Sequence, residues 1–456
     1  MFDSFATLME QFAGLVWGWP LLILLFGTHI YLTIHLGFIQ RFIGRMIRLS
    51  VAPDKGGQGD VSHFGALTTA LAATIGTGNI FGVAGAILIG GPGAVFWMWL
   101  TGVLGISTKY AEALLSVKYR TTTPDGRTVG GPMFVLEKAL GLKWLGMIFA
   151  AFTALAAFGI GNTIQSNTLA DLGEKMSADL PFLPTIPSWV TGLVLAAGVA
   201  AVILGGIQSI ARVCQFFVPI MAALYVLGCA IILAMDLGSL PGTILLILDS
   251  AFNGHAAVGG FAGAGIAAAM RYGIARGLFS NESGLGSAPI VAAAARTTNP
   301  VRQAMVSATG TFWDTVIVCL MTGLVIVGSG DWQLENLDKR SLCLEAFSEL
   351  GLFGKGVLFF GLLTFVFSTI LGWSYYGERA MEYLFGPKSI LPYRCAWVAA
   401  VFIGSISAGQ IADTVWNFSD AMNGLMAIPN LISLLLLSKV LLDETRAHRT
   451  EFTGRN

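Results

Sequence analysis

Thr74-Ile75-Gly76-Thr77-Gly78-Asn79 interrupts a run, Thr68 to Leu88, that is otherwise made mostly of Ala, Ile, Leu, Val and Phe. A helix that only spans lipid has no use for two glycines, two threonines and an asparagine at its midpoint. In hydrocarbon every backbone N–H and C=O must find a partner. Irregular backbone is therefore tolerated at that depth only inside protein or along a polar cavity. The interruption marks a broken spanning helix, and with it a site for a small polar solute or ion. Gly78-x-x-x-Gly82 is also a small-residue packing motif. The glycines alone leave packing and site equally open, and the flanking Thr and Asn favour the site.

Composition supports a lipid setting. The chain has 456 residues, 55% of them hydrophobic and only 11% charged, with a mean hydropathy of +0.74. Soluble domains carry about 25% charged residues, so this chain cannot clothe a water-facing surface. Its 57 glycines suit close helix packing and unwound helix segments. The formal net charge is zero, which leaves no electrostatic signal for nucleic acid. Five cysteines lie scattered without a Cys-x-x-Cys pair, and five histidines without ligand spacing. The first apolar run has acids and no base ahead of it, so it reads as a mature helix rather than a cleaved signal.

A spanning helix needs about 20 apolar residues. That rule predicts an all-α polytopic membrane protein with about eleven transmembrane helices, near 15–38, 68–89, 94–117, 145–170, 189–207, 214–235, 262–296, 304–328, 355–384, 394–409 and 412–438. Basic residues set the orientation. With the N-terminus outside, the cytoplasmic loops carry Arg41, Arg45, Arg48 and Lys55, then Lys118, Arg120 and Arg127, then Arg212, Arg296, Arg302, Lys388 and Arg394. The tail adds Lys439, Arg446, Arg449 and Arg455. Opposite loops hold Asp171, Glu174, Asp179, Asp236, Asp249, Asp331, Glu335, Asp338 and Glu345, with Lys175, Lys339 and Arg340 as the main exceptions. The C-terminus is then cytoplasmic.

Ten helices follow the first. They divide into two sets of five, and an odd number per set gives the halves opposite topology. Both leading helices are interrupted: the first at Thr74–Asn79, the second at Arg276-Gly277-Leu278-Phe279-Ser280-Asn281-Glu282-Ser283-Gly284. This pattern points to a secondary transporter built from inverted repeats. The expected divisions are 1–60 (first helix and basic linker), 61–240 (first repeat), 241–440 (inverted second repeat) and 441–456 (tail).

A broken helix exposes N–H groups at one half and C=O groups at the other. The N–H end favours a carboxylate, the C=O end a hard cation. Thr77, Gly78 and Asn79 offer donors for a carboxylate. Elsewhere, Gln165 is either a ligand contact or interhelical glue. Ser368 and Thr369 are adjacent hydroxyls suited to sodium, or they bond back to their own helix. Trp373, one turn on, could cap a small side chain, and Phe279 is a gate or plain core. Asp314 sits near mid-membrane as a coupling group or a structural acid. Glu282 with Arg271 or Arg276 reads as an internal ion pair or as part of a pathway. Lys109 and Glu112, at i and i+3, are expected to pair with each other on one helix face. A channel would want polar rings through several helices, where localised breaks stand instead. An enzyme would want a cluster such as His-Glu-x-x-His, and the sequence has none.

Gly90-Gly91-Pro92-Gly93-Ala94-Val95-Phe96-Trp97-Met98-Trp99-Leu100 resembles the signature of the sodium:alanine/glycine symporter family. So do Gly76-Thr77-Gly78-Asn79, Arg276 to Glu282 with Gly284, and Asn423-Gly424-Leu425-Met426-Ala427-Ile428-Pro429-Asn430. The likeness runs from about residue 10 to about residue 440. It implies a leucine-transporter-type fold, one N-terminal helix followed by two inverted five-helix repeats. It implies import of a small neutral amino acid, alanine or glycine, with co-transported sodium, across the inner (cytoplasmic) membrane of a prokaryote, and no obligate protein partner. By the same resemblance Ala72 and Ile75 lend carbonyls to sodium, and Ser368 and Thr369 lend hydroxyls. Thr74, Thr77, Gly78 and Asn79 face the substrate, and Gln165, Phe279 and Trp373 close the pocket. A proton-coupled carrier using Asp314 or Glu282 is the alternative, and an ion channel a more distant one.

Overall fold

A computed structural model describes residues 2–53, 56–178, 185–253, 262–334, 337–348, 351–407 and 410–453. Lys55, Asp179, Glu335 and Arg455 lie outside them. The described chain is almost entirely helical; its one sheet is the two-stranded hairpin Thr121–Thr122 with Thr128–Val129.

Six of the described helices are long and apolar enough to cross a bilayer, and two bent helix pairs bring this to eight. Gly93–Lys118, Ser188–Ile203 and the interrupted Ala262–Asn281 segment complete the eleven expected spans. The first span starts earlier than its apolar run suggested. Phe2–Val16 leads into Trp19–His35, with Pro20 in the first turn of the second piece, where a missing N–H costs nothing. Asp3 and Glu10 hide this extension from a hydropathy window. Three shorter helices, Pro132–Leu140, Leu240–Asn253 and Lys339–Ser348, lie outside these spans.

Both leading helices are broken. His63–Thr74 and the segment Thr77–Gly90 meet at 62°. Ser62 caps the first half: its hydroxyl accepts from Gly65 N–H. The second interrupted helix runs Ala262–Asn281, opens at 282–287 and resumes as Ala288–Ala292. Two further helices loosen without breaking. Gly159–Thr163 and Phe312–Cys319 are π-helical, a local widening common at functional sites.

The basic loops share one end of the bundle. There Lys118 meets Glu444, Arg127 meets Glu382 at 2.8 Å, and Arg394 reaches Leu204 O at 3.2 Å. The acidic loops share the other end, where Arg340 and Lys175 both pair with Asp171.

Candidate functional site

The first break is built against the long helix Gly351–Phe385 and the π-helical turn at Gly159–Thr163. Thr369 Oγ1 donates to Ile75 O at 3.1 Å. Ile75 is the residue at which His63–Thr74 stops, with extended backbone, so its carbonyl has left the helical ladder. Gly76 follows because no side chain fits: a Cβ there would stand 2.6 Å from Thr369 Oγ1 and 3.5 Å from Gln165 Oε1. Gln165 Oε1 accepts from Thr77 N–H at 3.4 Å, while its Nε2 donates to Ile160 O at 2.9 Å. Four candidates thus converge, Ile75, Thr77, Gln165 and Thr369, around the Gly76 backbone.

Trp373 is 1% exposed and packs on Gly161, where a Cβ would lie 2.2 Å from that of Trp373. It is held edge-on by Tyr376, with ring centroids 5.5 Å apart. Gly78 faces Phe279, whose ring would be 3.4 Å from a Cβ at that position. Phe279 in turn stacks on Trp416 at 6.3 Å and lies under the Arg276 guanidinium at 5.5 Å. Trp416 lines a cavity of about 840 Å³ at the acidic end, together with Thr163, Asn167, Asp171 and Lys339. Phe279 therefore stands between that cavity and Gly78. Lys339 lies over the Trp416 ring at 4.3 Å; burial first, then Arg276 and Arg340, lower its ammonium pKa to about 8.

Three expected contacts turn elsewhere. The neighbouring hydroxyls of Ser368 and Thr369 point to different partners: Ser368 Oγ bonds back to its own helix, donating to Phe365 O at 3.0 Å. Thr74 Oγ1 bonds back to Leu71 O at 3.4 Å. Ala72 is fully buried in the last turn before the break. The Asn79 carboxamide is already committed. Its Oδ1 accepts from Gly76 N–H at 2.8 Å, and its Nδ2 donates to Asp314 Oδ1 at 2.7 Å.

Asp314 ties the two breaks together. Its Oδ2 accepts from Ser280 Oγ at 2.9 Å and from Thr315 Oγ1 at 2.6 Å. Ser280 closes helix Ala262–Asn281, and Asn79 closes the turn of the first break. One fully buried carboxylate, in a π-helical stretch, thus joins both interrupted helices.

The second break corrects two sequence expectations. Lys109 and Glu112 do not pair with each other. Lys109 Nζ donates to Asn281 O at 2.6 Å, one of the open carbonyls at the end of its half-helix. Glu112 Oε1 accepts from Gly284 N–H at 3.0 Å and from Asn430 Nδ2 at 2.6 Å, and Asn430 also donates to Gly284 O at 2.9 Å. A cation at freed carbonyls and an anion at freed N–H groups is the arrangement that the helix dipole favours. Glu282 does not pair with Arg271 or Arg276 either. It takes left-handed backbone at φ 56° and accepts from the Ser287 hydroxyl.

At the basic end, Arg120 fastens the chain before the first broken helix to the chain after the second. Its Nη1 donates to Ala293 O at 3.0 Å and Ala295 O at 2.7 Å, its Nη2 to Gln58 O at 2.9 Å and Thr297 O at 2.8 Å. Asp60 pins the hairpin alongside by accepting from Thr128 N–H at 3.0 Å. Burial raises the Asp60 carboxyl, and that hydrogen bond together with Arg379, Arg127 and Arg120 works against the rise. Gly310, Ser307, Thr74 and Lys109 line a small void between this seal and the first break. Arg120, Lys109, Glu112, Asn430 and Ser280 escaped the sequence reading as site-building residues. Only the depth of the two charges in an apolar helix could have flagged Lys109 and Glu112.

Residues 2–454 match the model of the sodium:alanine symporter family. The chain is 50% identical over 454 residues to the sodium/alanine symporter AgcS of Methanococcus maripaludis, covering 97% of each chain. It is 48% identical over 444 residues to an uncharacterized transporter of Haemophilus influenzae, covering 96% of this chain and 95% of the relative. Its fold is similar to the crystal structure of MhsT in complex with L-phenylalanine, with a TM-score of 0.52 at 14% identity over 85% of this chain and 98% of that one. At that identity the likeness speaks for the fold alone, a leucine-transporter-type fold. The relatives are named as transporters, not enzymes. The chain belongs to the sodium:alanine symporter family and is a multi-pass membrane transporter.

Proposed function

We propose that this protein imports a small neutral amino acid, alanine or glycine, together with sodium, by alternating access across the cytoplasmic membrane. The observation that carries the reading is the freed Ile75 carbonyl facing Thr369 Oγ1 at the mid-membrane break. Two oxygens from separate helices, with the break's remaining carbonyls beside them, form the start of a hard-cation site. Ser368 joins them by turning its hydroxyl away from Phe365 O, and Ala72 adds a carbonyl. A close sodium/alanine symporter relative supports the choice of ion and substrate.

The substrate carboxylate goes to the other side of the break, beside Thr74, where it takes the Gly78 backbone N–H and replaces Gln165 Oε1 as the acceptor of Thr77 N–H. Trp373 and Phe279 wall the space and leave room for a methyl-sized side chain. Asn79 shapes this pocket from behind, by holding Gly76 N–H and Asp314. Sodium and substrate share one flexible break, so each favours the arrangement the other needs and they bind cooperatively.

The positive-inside rule puts the basic end in the cytoplasm, the N-terminus outside and the C-terminus inside. The open cavity at Trp416 then faces outward, and the Arg120 fastening closes the inward path. Release inward requires that fastening to part.

Thr369→Ala removes one proposed sodium oxygen and leaves Ile75 O without its partner. The sodium concentration for half-maximal uptake is expected to rise roughly tenfold, as a lost hydrogen-bond-class interaction of ~1.5 kcal/mol implies. Ser368→Ala alone is expected to shift it less. An unchanged sodium dependence in Thr369→Ala would remove Thr369 from the ion site. Trp373→Ala is expected to admit larger neutral amino acids as competitors of labelled alanine. Unchanged selectivity would mean that Trp373 only packs on Gly161.

One observation favours a second reading, proton coupling. Asp314 is fully buried, and the hydrogen-bonding groups that reach its carboxylate are neutral: Asn79, Ser280 and Thr315. Uptake with choline in place of sodium at fixed pH separates the two. Persistence in choline would favour the proton.

A further inference from the structure

We propose that a groove at the basic end binds the phosphodiester headgroup of an anionic phospholipid. The groove encloses about 220 Å³ between the end of the first span and the C-terminal helices. Arg41, Arg446 and Arg449 line it with His35 and Thr445, and no carboxylate is among its lining residues. Arg446 and Arg449 make no side-chain hydrogen bond or ion pair with other described residues. The Arg41 guanidinium lies over Phe42 at 4.8 Å. Of the acids on these C-terminal helices, Glu444 is held by Lys118 and the Glu451 carboxylate by Asn299 at 3.3 Å, while Asp443 is not among the groove's lining residues. Three guanidinium groups around one hollow repel each other unless an anion sits among them. His35 Nε2 adds a buried ring nitrogen with no partner.

The walls decide the source of the anion. Beside the lining residues on the first span, Ile34 is 61% and Phe38 57% exposed, and Tyr31 stacks on His35 with ring centroids 5.2 Å apart. Phe38 holds left-handed backbone at φ 57°, just past the helix end, and its ring is left outward. In a spanning helix, exposed apolar side chains of this kind meet acyl chains. A ligand with a phosphate among the arginines and hydrocarbon along Ile34 and Phe38 is a phospholipid. Basic pockets beside spanning helices on the cytoplasmic side suit such headgroups.

The test uses the full chain in detergent, read by native mass spectrometry during titration with phosphatidylglycerol, phosphatidylcholine or glycerol phosphate. Phosphatidylglycerol is expected to bind in preference to phosphatidylcholine. The triple variant R41Q/R446Q/R449Q is expected to lose affinity for it on the order of 100-fold, roughly fivefold for each arginine removed. Phosphatidylcholine binding stays as it was, and Arg48→Gln, outside the groove, changes neither. Single variants R446Q and R449Q carry the test if the triple variant cannot be purified. Undiminished phosphatidylglycerol binding in these variants overturns the proposal. Glycerol phosphate competing as well as the lipid at equal concentration also overturns it, in favour of a soluble phosphate.

Discussion

Asp314→Ala lowers sodium-driven alanine uptake by roughly 100-fold or more, because it leaves up to three buried donors without an acceptor at about 1–3 kcal/mol each. The carboxylate accepts from Asn79, Ser280 and Thr315, and so joins the first broken helix to the second. Without it, Asn79 loses the contact that fixes its carboxamide, and Gly76 N–H loses a well-placed partner. The break that is proposed to hold both sodium and substrate then becomes irregular. Asp314→Asn is expected to lie between wild type and Ala. Its carbonyl oxygen can still accept from Asn79, while the Ser280 and Thr315 hydroxyls turn to accept from the new amide. Uptake by purified variants in liposomes, alongside thermal unfolding, separates a damaged site from a damaged fold. Wild-type uptake in Asp314→Ala would reduce this carboxylate to packing.

Arg120→Ala is expected to open the basic end. Arg120 donates to four carbonyls from two segments that flank the broken helices. Hydrogen bonds from a charged donor are worth about 1.5–3 kcal/mol each, and a net loss of only ~1.4 kcal/mol shifts a closed–open equilibrium tenfold. Ser307 lines the void above this seal, so a cysteine placed there reports on access. In a Cys395→Ser background, Ser307→Cys is expected to react at least about tenfold faster with an impermeant thiol reagent from the basic side once Arg120 is Ala. Arg120→Lys should recover part of the protection, since one ammonium replaces a fork that spans both segments. Equal labelling with and without Arg120 would show that the seal lies elsewhere.

The first break was legible because its residues are wrong for lipid on any account: two glycines, two threonines and an asparagine in one helix midpoint. The spans were legible by length. Short helices such as Pro132–Leu140 and Lys339–Ser348 were not, since neither reaches the length that a spanning rule detects. Ser368 and Thr369 stand out as a pair by composition, and only their partners separate them: Thr369 reaches Ile75 O across the break, while Ser368 bonds back to Phe365 O on its own helix. Lys109 and Glu112 show a different limit. Spacing of i and i+3 indicates a pair when nothing stronger competes. Here the open backbone groups of Asn281 and Gly284, 172 residues further along the chain in each case, compete and win. The Asn79–Asp314 contact spans 235 residues and depends on how two helices far apart in the chain pack. No local pattern carries it.

Uptake of labelled alanine by the purified protein in liposomes, with an inward sodium gradient and with the same gradient of choline, tests the central claim most directly. The expected result is concentrative uptake with sodium, collapse to leak with choline, and counterflow of labelled alanine when unlabelled alanine is trapped inside. Equal uptake in sodium and choline would contradict sodium coupling, and a flux without counterflow would contradict a carrier.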